Sequence, residues 1–177
     1  LVKMYATSTA GQGNGLMNPQ VIDLNEDGKA DLIYAGDLLG NLWRFDVSNT
    51  SSPGNWKVSF GGNPLFSAKD TSNSPQPILV APVWLTHPLG GIQLGFSTGR
   101  LFTAGDRTDV SEQSFYSVWD KSLLTFASGG AVTVEDDASK RITTGRGALV
   151  KETMDTSAVA SHAGNSFFNY TPVKVNY

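Results

Sequence analysis

Residues 21–47, VIDLNEDGKADLIYAGDLLGNLWRFDV, constrain the fold more than any other stretch of the chain. A loop of carboxylates and amides runs straight into two short apolar patterns, residues 31–35 (DLIYA) and 41–47 (NLWRFDV). Strands with apolar side chains on both faces need cover on both sides, so these two belong inside stacked sheets. Leu38, Leu39, Gly40 and Asn41 suffice to turn the chain back as a hairpin, with Gly40 supplying the permissive backbone. The expectation is an all-β fold of antiparallel strands in β-propeller-like blades.

The rest of the chain follows the same construction. Residues 78–85 (ILVAPVWL) form an apolar run broken by Pro82, which suits a strand end or a sheet edge. Residues 92–98 (IQLGFST) and 100–104 (RLFTA) flank Gly99 as a second strand–turn–strand unit, with Gly36 and Ser97 in matching places 61 residues apart. Further short strands are predicted over 1–6, 56–60 and 114–119, and a final hairpin over 148–154 and 167–175. The 19 glycines and 8 prolines fall between the apolar runs, and no long amphipathic helix is visible. With 177 residues, 40% of them hydrophobic, the chain can bury a sizeable core and is expected to form a single domain, residues 1–177. It opens at Leu1 and ends at Tyr177 within a strand pattern, which predicts a fragment of a longer protein.

Several functions are argued against by composition and context. A net charge of −3 gives no electrostatic reason to bind nucleic acid. No apolar run approaches the roughly 20 residues needed to span a bilayer, so no membrane insertion is expected. The absence of cysteine excludes disulfides and thiolate metal sites. The glycine-rich residues 7–15 lack the Lys-Ser/Thr of a phosphate loop. GFSTG at 95–99 has the spacing of a nucleophile elbow, yet a strand pattern follows it where a helix is required. His87 precedes Pro88 and His162 sits in a polar segment, so a hairpin turn is the expected reading and no catalytic residues are assigned. The chain is expected not to be an enzyme. Asp106, Asp109 and Glu112 lack a glycine-centred spacing and read as solvated charge, with Asp106 beside Arg107; residues 135–141 (EDDASKR) read as a solvated turn. Trp43, Phe45, Trp84 and Trp119 lie in apolar runs and are expected in the core.

The acidic loop is the candidate site. Asp23, Asn25, Asp27 and Asp31 occupy positions 1, 3, 5 and 9, with Gly28 at position 6. Calcium takes six to eight oxygens at about 2.3–2.6 Å from carboxylates, amides and backbone carbonyls. Alternate side chains of Asp23, Asn25 and Asp27 can converge while Glu26 and Lys29 project outward, and the turn at Gly28 brings the Lys29 carbonyl towards the ion. Asp31 contributes from the start of the strand. Position 12 is Tyr34 rather than the Glu of an EF-hand, and no helix pattern flanks the loop. The loop 23–31 is therefore expected to hold Ca2+ on a β-strand framework.

The same residues resemble a family. VIDLNEDGKADLIYAGDLLGNLWRFDV is similar to the calcium-loop blade of the PilC/PilY-type proteins, tip-associated adhesins and assembly factors of bacterial type IV pili. SPQPILVAPVWL, GIQLGFSTGRLF and SEQSFYSVWDK resemble the following segments of the same C-terminal propeller in the same order. The resemblance covers roughly residues 1–121, and the YAGDLLGNLWRFD portion is its most specific part. It implies a modified PilC-type β-propeller with calcium on Asp23, Asn25, Asp27, Asp31 and the Lys29 carbonyl, and calcium control of pilus extension against retraction. It further implies an exported protein at the bacterial cell surface, at the pilus tip or the outer membrane and periplasm. The implied partners are type IV pilus components such as minor pilins, and a host or abiotic surface. A closed propeller needs about four blades or more, so the chain would be part of one. Two other readings share the pattern: a quinone-dependent propeller dehydrogenase, and an integrin-like FG-GAP binding propeller.

Overall fold

The computed structural model describes residues 2–6 and 13–151, together with the backbone of residues 159–162 and 165–168. It is built from short antiparallel strands, and among the described residues no helix is long and apolar enough to cross a membrane.

The first sheet is formed by β1 (Leu16–Ile22), β2 (Leu32–Asp37), β3 (Asn41–Asp46) and the two-residue β4 (Lys57–Val58), in that order, with β5 (Phe66–Ser67) also paired to β3. β2 and β3 are buried along nearly their whole length, as their two-faced apolar pattern demands. β1 carries Pro19, which cannot donate to a ladder, and it accordingly lies at the sheet edge with a register shift between Leu16 and Pro19. Its mixed polar composition left it without a strand signature.

The β2–β3 turn explains why the sequence around it is so particular. The buried Asp37 carboxylate collects the N–H groups of Leu39 and Asn41, the Asn41 and Asn14 amides and the Trp43 indole, all at 2.8–2.9 Å. Gly40 has φ of 80°, and a Cβ there would fall 2.6 Å from the carbonyls of Ala68 and Gln76. A Cβ on Gly36 would lie 2.4 Å from Ile78. Both glycines are demanded by close approach of neighbouring segments.

The second sheet contains β6 (Val83–Thr86), β7 (Ile92–Ser97) and β8 (Phe115–Asp120), with β6 at an edge just after Pro82. Two hairpins complete the fold: β9 (Leu124–Phe126) with β10 (Val132–Val134), and β11 (Val159–His162) with β12 (Asn165–Phe168). The inner faces of both sheets and the β9–β10 hairpin close one core, which includes Ile22, Leu32, Leu42, Leu94, Val118 and Val132. On the other face of the first sheet, Ala35, Trp43 and Phe45 are covered by Met4, Ala6 and Val58.

Several expected elements differ. Residues 2–6 are not a strand; they cover the outer face of the first sheet, where Met4 and Ala6 pack. The strand over 56–60 shrinks to β4, because Phe60 and Gly61 adopt left-handed φ values of 58° and 65°. Residues 100–104 do not pair with β7; β8 takes that place, and 104–108 form a 3-10 turn. Residues 145–148 also form a 3-10 turn, and the last hairpin is β11–β12. Residues 7–12 of the glycine-rich connection, and 152–154 and 169–175 of the expected final hairpin, lie outside the described residues. Trp43 and Phe45 are buried as expected, whereas Trp119 is half-buried and stacks on the His87 ring at 3.9 Å.

A polar junction ties the sheets together. Arg44 of β3 is fully buried, with Nη1 at 2.8 Å from the Asp120 carboxylate and 2.6 Å from Ser122 Oγ. Its Nε donates to Ser59 and its Nη2 to the Glu135 carbonyl, and the guanidinium lies 4.1 Å from the Phe60 ring centroid. The Tyr34 hydroxyl donates to the same Asp120 oxygen at 2.7 Å. Burial, and then the Asp120 charge, pushes that hydroxyl well above the usual tyrosine range, so it stays the donor. Residues 135–141 are consequently no free solvated turn: Asp136 meets Lys57 at 3.1 Å and Arg44 at 3.7 Å, and Glu135 pairs with Lys140.

Arg44→Met should destabilise the fold by about 3–5 kcal/mol, since it strands the Asp120 charge in the interior. Urea unfolding measures the loss. Adding Asp120→Asn should recover part of it, because the stranded charge is then gone.

Candidate metal loop

The loop between β1 and β2 is clamped at both ends. Ile22 pairs with Leu32, and the Asp31 N–H donates to the Ile22 carbonyl at 2.8 Å. Within it, the Asp27 N–H reaches Asp23 Oδ1 and Asn25 Oδ1, both at 3.2 Å, and the Gly28 N–H reaches Asp23 Oδ2 at 2.7 Å. The Lys29 N–H donates to Asp27 Oδ1 at 2.9 Å, and its ammonium lies 3.4 Å from Asp27 Oδ2. Gly28 sits at φ of 82°, the left-handed conformation that its place at the turn requires. Asp23 and Asn25 are half-buried, Asp27 and Lys29 exposed, and Asp31 buried at 3% exposure.

Asp23, Asn25 and Asp27 are thus brought together around shared backbone donors. Asp31 faces inward and accepts the Leu24 N–H at 2.7 Å. Among the described residues no three Asp, Glu, His or Cys side chains gather closely enough to hold a metal ion. The donor chemistry nevertheless suits a hard cation: three carboxylates and an amide oxygen, with no nitrogen or sulfur donor. Burial raises the Asp31 carboxyl above its usual range against the opposing Leu24 N–H, and the charges of Asp23, Asp27 and Asp46 raise it further. A dication at the loop would relieve that surplus of negative charge. The Lys29 N–H bond to Asp27 holds the Asp27 carboxyl below its usual range.

The other acidic candidates are committed to structure. Asp106 pairs with Arg100, not with Arg107: its Oδ1 lies 2.9 Å from Arg100 Nε, and its Oδ2 accepts the N–H groups of Phe102 and Thr103 at 2.8 Å. Glu112 bonds Thr71 Oγ1 at 2.8 Å and Arg146 at 2.7 Å. Ser97 of the GFSTG segment ends β7 opposite Phe115, and the short 3-10 turn after it is no elbow helix. Sequence reasoning missed two neighbours of the loop, Asp46 and the carbonyl of Gly130, which Asn25 Nδ2 reaches at 2.6 Å. Neither had a local signal.

Comparison with known proteins places this geometry in context. The family profile of the PilY1 beta-propeller domain matches residues 1–165. The type IV pilus biogenesis factor PilY1 of Pseudomonas aeruginosa is 37% identical over 93% of this chain. A PilY1 homolog of Xylella fastidiosa is 33% identical over 69% of it. The chain spans only 15% and 9% of those two proteins. The crystal structure of the P. aeruginosa PilY1 C-terminal domain superposes with a TM-score of 0.59 at 40% identity, covering 66% of this chain and 27% of that one.

The Asp106 carboxyl is held at about 2 by the Thr103 and Phe102 N–H groups first and the Arg100 charge last. A lowered carboxyl stabilises the fold above its unfolded value of about 3.9 and loses that effect as pH falls through the folded value. NMR titration should therefore place Asp106 near that value, and Arg100→Gln should leave it still below the ordinary range, because the backbone donors remain.

Proposed function

The chain belongs to the PilY1 β-propeller domain family, and from that premise we infer that it is the calcium-binding propeller module of a type IV pilus biogenesis factor. Calcium occupancy of the loop regulates pilus extension against retraction and, with it, twitching motility and surface attachment. The ligands are the side chains of Asp23, Asn25, Asp27 and Asp31 and the carbonyl of Lys29. The observation that carries the reading is the clamped loop itself, in which Asp23 and Asn25 share neighbouring backbone donors and the buried Asp31 closes the far end, raised by burial and by its acidic neighbours. An ion bound there supplies positive charge and fixes the entry of β2 into the sheet. The chain's own residues do the rest: Asp31 holds the Leu24 backbone, Gly28 permits the turn, and the Asp37-bonded hairpin keeps β2 rigid behind the loop.

The setting is supported by the relatives, which are named as type IV pilus biogenesis factors. The protein works outside the cytoplasm at the cell surface, at the pilus tip or at the outer membrane and periplasm. Its partners are pilus components, among them minor pilins, and the surface to which the pilus attaches.

At calcium a hundredfold above Kd, binding stabilises the fold by about 2.7 kcal/mol, which should raise the thermal midpoint by roughly 5–10 °C. Asp31→Ala should weaken calcium uptake more than any other single ligand substitution. Asp31→Asn, which keeps an oxygen for the Leu24 N–H, should separate loss of charge from loss of that backbone contact. In cells, Asp31→Ala should disturb twitching. No calcium-dependent shift in the melt would remove the metal reading, and unchanged motility would remove the regulatory one.

A further inference from the structure

Asn25 belongs to the loop by sequence and to the β9–β10 hairpin by contact. Its Oδ1 accepts the Asp27 N–H at 3.2 Å inside the loop. Its Nδ2 donates at 2.6 Å to the carbonyl of Gly130, 105 residues further along, in the turn that closes β9–β10. That hairpin is a sheet of only two strands, paired with neither of the larger sheets. A two-stranded hairpin is marginally stable by itself in water and depends on what holds it.

The holds are unevenly placed. At the open end, Arg44 donates to the Glu135 carbonyl at 2.8 Å, and the Glu135 carboxylate accepts the Leu123 N–H at 2.8 Å. Along one face, Val132 and Val134 enter the shared core. The turn, by contrast, is exposed, and among the described residues a hydrogen bond reaches it from outside the hairpin through Asn25. Close by, Leu24 of the loop and Leu124 of β9 pack against the same core, and both line a groove with Trp84 and Phe126. The loop and the hairpin thus meet through one apolar contact region and one amide.

An amide side chain has two independent ends, an acceptor oxygen and a donor NH2, and they are held in one plane. An oxygen fixed on a cation therefore fixes the direction of the nitrogen. Resting on the calcium reading above, we propose that Asn25 is a positioning residue that passes the state of the loop to the β9–β10 hairpin. With an ion held by the loop, the Asn25 amide would be fixed in one plane, its Nδ2 would hold the Gly130 carbonyl, and the hairpin would be ordered from its turn as well as from its base. Because such coupling is reciprocal, an ordered hairpin also raises the calcium affinity of the loop. The segment that responds to calcium is therefore residues 124–134, remote from the loop in sequence and exposed at its tip, where a pilus component could read it.

Hydrogen–deuterium exchange on the whole protein, with and without calcium, tests this, alongside calcium titration calorimetry. Calcium should slow exchange across 124–134 by about fivefold or more, the lower end of ordinary coupling between sites, beyond the slowing that overall stabilisation gives β7. Asn25→Asp keeps an oxygen for the ion but presents a second oxygen to the Gly130 carbonyl, where no donor remains. Compared at calcium concentrations that calorimetry shows to saturate each protein, that variant should lose the protection of 124–134 whatever its own affinity for the ion. If the unaltered protein takes up no calcium, the metal reading fails and this inference with it. If it takes up calcium while 124–134 gain no protection beyond that of β7, this inference alone is overturned, whether or not the variant folds. If Asn25→Asp keeps the full calcium-dependent protection, Asn25 is not the coupling residue.

Discussion

Asp120, at the end of β8, receives Tyr34 from β2 and Arg44 from β3, and both arrive at the same carboxylate oxygen. Removing a carboxylate and a guanidinium from water costs several kcal/mol per ion, and the cost is offset only when every donor and lone pair finds a partner. Here the partners are complete. Arg44 also serves Ser59, Ser122 and the Glu135 carbonyl, and Asp120 also accepts the Ser122 N–H at 3.0 Å. No buried side-chain polar atom among the described residues lacks a partner. Because the apolar core around it is non-directional, this junction is what orients the first sheet against the second and places the β9–β10 hairpin beside the candidate metal loop. The Asn25–Gly130 contact exists only because that placement holds.

The β2–β3 hairpin divides the labour between scaffold and site. At one end of β2, Asp37 consumes its oxygens on the turn, on Asn41, Asn14 and Trp43, and has none to spare for a ligand. At the other end, the loop carboxylates bond neighbouring backbone and the Lys29 ammonium and remain half-buried or exposed, apart from Asp31. Both ends are acidic, yet one is a structural cap and the other a candidate ion site. The YAGDLLGNLWRFD segment that most strongly marks the family is thus explained by packing: Gly36 against Ile78, Gly40 against two carbonyls, Asp37 under Trp43. The candidate site sits on a loop that a rigid hairpin presents, the usual partition between scaffold and connection.

What could be read from the chain tracks how local the deciding interaction is. β2 and β3 were legible because the runs LIYAGD and NLWRFD bury both faces, and β7 and β8 because their apolar residues alternate at the strand period. β1 was not, since Pro19 and a polar face hide a strand that exists by pairing with β2. The strand expected after Gly99 failed because Asp106 offers a stronger local alternative, capping its own turn through Thr103 and Phe102. Beside Arg107 in sequence, Asp106 read as solvated charge, while the fold pairs it with Arg100. Residues 135–141 looked solvated because Arg44 and Lys57, which Asp136 meets, lie far back in the chain.

The sequence by itself determined the chemistry of the loop and the turn that supports it. Asp23, Asn25, Asp27 and Gly28 act over five residues or fewer, so their spacing already dictates which oxygens can meet which backbone groups. Only the tertiary structure decided that Asp31 is buried beside Asp46, that Arg44 and Tyr34 share Asp120, and that Asn25 reaches Gly130. The physical reason is the range of the interaction: short spacings confine a side chain to few partners, whereas contacts between distant segments depend on how a common core closes.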